Sequence, residues 1–213
     1  MRKVLLLVGA LLVTGAAVAA DIKEGQDYVS YNPPRSTETQ DRIEVTEFFW
    51  YGCGHCFHLE PELNAWVKKL PKDVSFRRVP AVFPGRGGKP GGWAPGARLF
   101  YTLEALGQLD KLHGAAFNAI QVEHVSPAKD QAMIDWAAKQ PGIDAKKFAD
   151  TYNSFAVESK LNRAMQLSQS YGLDGVPALV VNGQYRAAAV APDATLAVVD
   201  QLIDRVRKER GKK

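Results

Sequence analysis

Ile43-Glu44-Val45-Thr46-Glu47-Phe48-Phe49-Trp50-Tyr51-Gly52-Cys53-Gly54-His55-Cys56 is the stretch that decides the fold of this chain. Its first seven residues are β-branched or aromatic with polar residues interspersed, and they read as a strand. Gly52 turns the chain and Cys53 opens a helix, along which Leu59, Leu63, Trp66 or Val67, and Leu70 recur at helical spacing. Pro61 falls inside that pattern and is expected to kink the helix, because proline removes a backbone donor and crowds the preceding turn. After Pro71-Lys72-Asp73, Val74 to Val79 reads as a second strand. The unit is therefore βαβ.

Downstream the texture changes. Pro84 to Gly96 is crowded with glycine and proline, which marks a loop and a domain boundary. Helical periodicity follows in Leu99, Phe100, Leu103 and Leu106, and again in Leu109, Leu112, Ala116 and Ile120. Ser126-Pro127 has the form of an N-cap with proline at the first helical position, ahead of Met133, Ile134 and Ala137. Asp144 can cap a short helix bearing Phe148 and Tyr152, and a longer one carries Val157, Leu161, Met165 and Ser168 up to Gly172. Strand character returns after Val176-Pro177: Ala178 to Val181, an Asn182-Gly183 turn, then Gln184 to Ala188 read as a hairpin. A last amphipathic helix carries Leu196, Val199, Ile203 and Val206. The order is βαβ, a helical insertion, then ββα.

Upstream, Asp21 to Gln40 is polar and contains Asn32-Pro33-Pro34, so it reads as an extended lead-in. Before it, Arg2 and Lys3, the apolar run Val4 to Val13 and Ala17-Val18-Ala19 have the order of a secretory signal peptide over residues 1–20. That apolar run is short of the ~20 residues a membrane-spanning helix needs. Cleavage would leave about 193 residues, enough for one sizeable core or one domain carrying an insertion. The formal charge of the full chain is +4, and Arg2 and Lys3 account for two of those charges. The basic cluster Arg205, Arg207, Lys208, Arg210, Lys212 and Lys213 sits at the C-terminal end of the last helix, where it complements the helix dipole. No nucleic-acid partner is expected.

The chain has only two cysteines. One Cys-x-x-Cys pair, alone in a protein bound for an oxidising compartment, points to chemistry rather than stapling. At a helix start, unpaired backbone donors and the positive dipole end stabilise a thiolate at the first cysteine. The thiolate attacks, and a thiol of lowered pKa also leaves more readily. Cys53 is therefore expected to be the exposed nucleophile, with Cys56, one turn on, as the resolving thiol. His55 between them adds a donor or a positive charge, whereas His58 has no motif around it. A structural zinc site would need four ligands, and His113 and His124 lack metal-ligand spacing. Covalent haem attachment needs a histidine after the second cysteine, where Phe57 stands. An inert disulfide closing so tight a loop would gain little from chain entropy. No metal and no cofactor are expected.

Phe48 to Cys56, taken with Gly175-Val176-Pro177-Ala178 and Val181-Asn182-Gly183, resembles the DsbA family of thioredoxin-fold oxidases. The resemblance spans essentially the whole mature chain. It implies an α/β thioredoxin fold with an inserted helical domain: residues 21–83 and 161–213 thioredoxin-like, residues 84–160 inserted. It implies Cys53 as nucleophile, Cys56 as resolving thiol and His55 as thiolate stabiliser. Pro177 would be cis, with Val176 presenting its backbone beside Cys53 so that an unfolded substrate docks as an extra strand. Glu47 and Glu60 fall where the family keeps acidic residues near the buried cysteine, placed to move a proton to or from Cys56. One departure is Gly54, where many members have proline; Cys-Gly-His-Cys is also found in eukaryotic protein disulfide isomerases.

The function implied is a periplasmic oxidase, expected to be monomeric, that donates the Cys53–Cys56 disulfide to reduced, unfolded exported proteins. A membrane quinone-coupled partner of the DsbB type would reoxidise it. An isomerase or reductase would use the same cysteines. Isomerases of that compartment, however, usually carry an N-terminal dimerisation domain and threonine before the cis proline. A binding module or chaperone using the aromatic run Phe49, Trp50 and Tyr51 is a third reading, and it alone would survive Cys53→Ala.

Overall fold

The structure is a computed structural model that describes residues 21–188 and 191–211. The expected signal peptide lies outside these residues, as do Lys212 and Lys213 of the basic cluster. Strand β1 is Tyr28–Ser30, β2 is Ile43–Phe49, β3 is Val74–Pro80, β4 is Ala178–Val181 and β5 is Tyr185–Ala187. They form a five-stranded sheet in the order β1-β5-β4-β2-β3. β2 and β3 are parallel, and the other neighbours are antiparallel. The helices are α1 (Gly54–Val67), α2 (Ala94–Ala105), α3 (Leu109–Gln121), α4 (Asp130–Ala138), α5 (Ala145–Tyr152), α6 (Phe155–Ser170) and α7 (Pro192–Arg210). The thioredoxin fold with a helical block between β3 and β4 is thus the observed architecture.

β2 is the strand around which the molecule is built, and all seven of its residues are buried. Successive side chains of a strand point to opposite faces. Ile43 and Val45 accordingly pack with Leu59 and Leu63 of α1 and Val199, Leu202 and Ile203 of α7. Phe48 faces the other way and packs on Tyr171, with ring centroids 5.1 Å apart. The same alternation puts Glu47 on the α1 face and Glu44 and Thr46 on the opposite one. The parallel register pairs Thr46 with Arg77 and Glu47 with Arg78, so each polar residue of β2 meets an arginine on its own face. Arg77 Nε donates to Glu44 Oε1 at 2.9 Å. The second core, formed with the helical block, contains Phe49, Tyr51, Phe100 and Phe117.

The structure departs from the sequence reading at several points. β1 is a strand where an extended lead-in was expected; it pairs with β5 at the sheet edge, Val29 opposite Arg186. α1 runs through Pro61 without interruption and ends at Val67, before Leu70. Ser126 does not cap a helix. Pro127 lies in a turn closed by Lys129 N on Ser126 O, and its carbonyl is taken by Gly96 N at 3.1 Å, so α4 starts only at Asp130. Asp144 does cap α5, accepting from Lys147 N. The Asn182-Gly183 turn forms with both residues at positive φ, 52° and 64°. Glycine is required at 183, because a Cβ there would lie 2.1 Å from the carbonyl oxygen of Arg35.

Candidate active site

The turn after β2 sets Cys53 at the N-cap of α1. Cys53 N donates to Trp50 O at 2.9 Å, which folds the chain back over Gly52. The Trp50 indole covers Gly52 so closely that a Cβ would meet its ring carbons at 2.5 Å. Trp50 in turn stacks on Trp93, with planes within 1° and centroids 4.4 Å apart. Trp93 belongs to the glycine- and proline-rich segment 84–96. That segment is also tied back on itself by Gly85 N to Lys89 O and Gly91 N to Phe83 O.

Cys53 has extended backbone angles, φ −91° and ψ 114°, and its sulfur occupies the place of a capping oxygen. Cys56 N donates to Cys53 Sγ at 3.4 Å, and the Cys53 thiol donates to Val176 O at 3.3 Å. Both cysteines are free thiols in this structure. The Cys53 pKa is lowered to about 6, first by the hydrogen bond from Cys56. Half-burial opposes the shift; the backbone N–H groups of Cys56 and His55 add to it, and the charge of His55 comes last. Cys56 is the opposite case. It has no exposed surface. Burial, the hydrogen bond to Cys53, and the negative charges of Cys53 and Glu47 hold its thiol protonated.

The predicted site residues converge. The Val176-Pro177 peptide is cis, and Val176 brings its carbonyl against the Cys53 thiol. His55 is exposed on the first turn of α1. Beside it a groove of about 390 Å³ runs between α1 and the start of α7, lined by His55, His58, Leu59, Val176, Pro177 and Pro192. Glu47 and Glu60 are both buried, Glu47 within reach of the charges of both cysteines.

The two carboxyls have different surroundings. Glu60 accepts from Asn64 Nδ2 at 2.8 Å and from Arg78 Nε and Nη2 at 3.3 and 3.2 Å, and it meets His113 Nε2 at 3.3 Å. Burial raises its pKa, but His113, Arg78 and Asn64 outweigh burial and the net shift is downward. Glu47 has Arg78 Nε 3.1 Å from its Oε2. That N–H is aimed at Glu60, so neither oxygen of Glu47 has a hydrogen-bond donor. Desolvation dominates and the charge of Glu60 adds to it, so the Glu47 pKa rises to about 8 against the charge of Arg78 and the smaller pull of its misdirected N–H.

Arg78, His113, Tyr51 and Asn64 were not singled out for this cluster by the sequence reading. Arg78 had a signal in hindsight, since consecutive arginines in a strand parallel to one carrying two glutamates imply paired charges. His113 had none; α3 brings it in by tertiary packing alone.

A dithiol at a helix N-terminus, its first cysteine against a cis-proline loop and its second sealed in the core, defines a thioredoxin-fold thiol–disulfide oxidoreductase. The sequence matches the family model for DSBA-like thioredoxin domains over residues 44–203. The thiol:disulfide interchange protein DsbA of Azotobacter vinelandii is 42% identical over 220 residues, covering 97% of this chain and 99% of that protein. DsbA of Pseudomonas aeruginosa is 40% identical over 213 residues, covering 97% and 98%. A crystal structure of the Pseudomonas aeruginosa DsbA superposes with a TM-score of 0.79 over 89% of this chain and 96% of that one. The Xylella fastidiosa oxidoreductase DsbA superposes equally well at 32% identity, over 88% and 98%. The chain belongs to the DsbA family.

Proposed function

We propose that the chain is a disulfide-donating oxidase of exported proteins, working in the periplasm through Cys53 and Cys56. The observation that carries this reading is the split in the surroundings of the two thiols: Cys53 at the N-cap of α1 takes the Cys56 N–H on its sulfur, which favours its thiolate, and Cys56 has no exposed surface, which disfavours its own. A thiolate that stable favours the dithiol form, which makes the disulfide a strong oxidant.

A client thiolate attacks Cys53 Sγ of the oxidised protein. The Cys53–Cys56 bond breaks, a client–Cys53 disulfide forms, and the electron pair stays on Cys56. Cys56 has the high pKa and must be protonated, and Glu47 carries a proton at neutral pH beside it. Glu47 gives that proton to Cys56 and becomes a carboxylate. A second client thiolate then attacks the client sulfur of the mixed disulfide, and Cys53 departs as a thiolate. Glu60, ionised and held by three partners, serves as an electrostatic anchor rather than as the donor. Val176 offers its backbone to an extended client segment, and the groove beside His55 and Pro177 takes the flanking side chains. A quinone-coupled membrane protein of the DsbB type returns the dithiol to the disulfide.

Glutathione equilibration of the Cys53–Cys56 pair, with Cys53 alkylation followed against pH, tests this. An oxidase has a potential well above thioredoxin's roughly −270 mV and a Cys53 that ionises below neutrality. A thioredoxin-like potential with an ordinary Cys53 pKa makes the protein a reductase instead.

A further inference from the structure

His113 has no part in the cysteine chemistry so far described, yet it sits at the centre of the buried polar cluster. It is 7% exposed. Its ring lies edge-on to Phe49 and Phe117, each with a centroid separation of 5.2 Å, and to Phe100 at 6.0 Å. In such a cage an imidazole is tolerated only if both nitrogens are satisfied. Nδ1 lies 2.8 Å from the Tyr51 hydroxyl and Nε2 lies 3.3 Å from Glu60 Oε1. An ionised carboxylate only accepts, so Nε2 carries the hydrogen and donates to Glu60; Nδ1 then accepts from Tyr51 O–H. This is the neutral ring, and burial, by lowering the His113 pKa, favours it.

The consequence passes through Glu60 to Arg78. With Glu60 fixed by His113 and Asn64, Arg78 aims Nε at Glu60 Oε1 and Nη2 at Glu60 Oε2 and Asn64 Oδ1. Glu47 is left with the proximity of the guanidinium but without a hydrogen bond from it. We propose that His113, anchored by Tyr51, is a positioning residue that holds Glu60 and Arg78 together and so keeps Glu47 free to carry the proton for Cys56. This rests on the reading of Glu47 as proton donor given above. The groups facing Glu47 are Arg78 from β3, Glu60 and Cys56 from α1, Cys53 at its N-cap, and Tyr51 from the turn before it. Those facing His113 are Glu60, Arg78 and Tyr51, with Asp110 on its own helix. Without His113 the Glu60 carboxylate is no longer fixed at Oε1 and turns away from Arg78 Nε; that N–H, already 3.1 Å from Glu47 Oε2, then bonds Glu47, which ionises at lower pH.

The test uses the full chain with His113→Phe, which suits the aromatic cage, and His113→Gln, whose amide N–H can still donate to Glu60. Two quantities are followed against pH. One is the titration of the Glu47 carboxyl by NMR of protein with labelled glutamate. The other is the single-turnover oxidation of a reduced client peptide. In His113→Phe both the Glu47 midpoint and the pH above which oxidation slows are expected to fall together by about one unit or more. His113→Gln is expected to bring both back. Should His113→Phe not fold, Tyr51→Phe removes the anchor while keeping the ring packing, and is expected to shift both quantities the same way. A Glu47 midpoint unchanged in a folded His113→Phe protein overturns the positioning role. A midpoint that moves while the oxidation profile stays put sustains the positioning of Glu47 but overturns its role as donor.

Discussion

Replacing Glu47 by glutamine should stabilise the protein, and by an amount that depends on pH in a fixed direction. The carboxyl is wholly buried, has no hydrogen-bond donor, and is pushed from 4.5 to about 8 in the fold. Between those two values the folded state binds more protons at this group than the unfolded state does. Stability therefore falls as pH rises through the window and is lowest above the folded pKa. At 1.36 kcal/mol per pKa unit, the penalty is under about 1 kcal/mol near pH 5 and roughly 3 kcal/mol at pH 7. Glutamine keeps the shape of the protonated acid and has nothing to ionise. Arg78 is not orphaned by the change, because Glu60 and Asn64 accept its hydrogen bonds. Urea unfolding of the reduced protein and of Glu47→Gln, at several pH values from about 5 to 8, reads the difference directly. The two curves should converge toward pH 5 and separate by roughly 3 kcal/mol at neutrality. A constant gap, or one that closes as pH rises, would refute the argument that desolvation governs this carboxyl.

Gly54→Pro should be accepted. Position 54 is the first of α1, Cys53 already has angles suited to a following proline, and the nearest atom to an added Cβ is Gln121 Oε1 at 3.7 Å. A gain of about 0.4–1 kcal/mol in thermal unfolding is expected, with the Cys53 titration unmoved, since the N–H groups that act on Cys53 are those of His55 and Cys56. His55→Ala should raise the alkylation midpoint of Cys53 by less than about one unit, because the charge of His55 is the weakest of the causes acting on the thiol; a return to the ordinary thiol value would overturn that ranking. Gly183→Ala forces a Cβ against Arg35 O at a positive φ and should cost at least about 1–3 kcal/mol, seen as a lowered unfolding midpoint in urea.

What was legible in the sequence was what local chemistry specifies. The strand at 43–49, the helix opening at Cys53, the Asn182-Gly183 turn and the Asp144 cap each rest on a few adjacent residues whose preferences agree. The apolar stripe Leu196, Val199, Ile203 and Val206 is buried as its spacing implies. The misses are tertiary. β1 is three residues long, too short for alternation to register, and exists because β5 offers it an edge. Ser126 has the residue type of a cap, yet Gly96 competes for the Pro127 carbonyl and wins. In the site, the cysteines and the proline loop were readable from motif and order. The network below them was not, because Tyr51, Arg78 and His113 come from a turn, a strand and a helix that share no local pattern.

The strand order also sets when the molecule becomes competent as the chain emerges into the compartment where it folds. A chain delivered from its N-terminus presents Cys53 and Cys56 long before Val176 and Pro177. β2 cannot acquire its β4 neighbour until the helical block between them has been made. Pairing of strands so distant in sequence carries a large loop-closure cost and forms late. Until then the cysteines lack the proline loop that completes their surroundings, and the open edge of β2 is exposed to other chains. The nascent protein is therefore itself a client-like dithiol before it is an oxidant of others, and its own completion is the step that separates the two conditions.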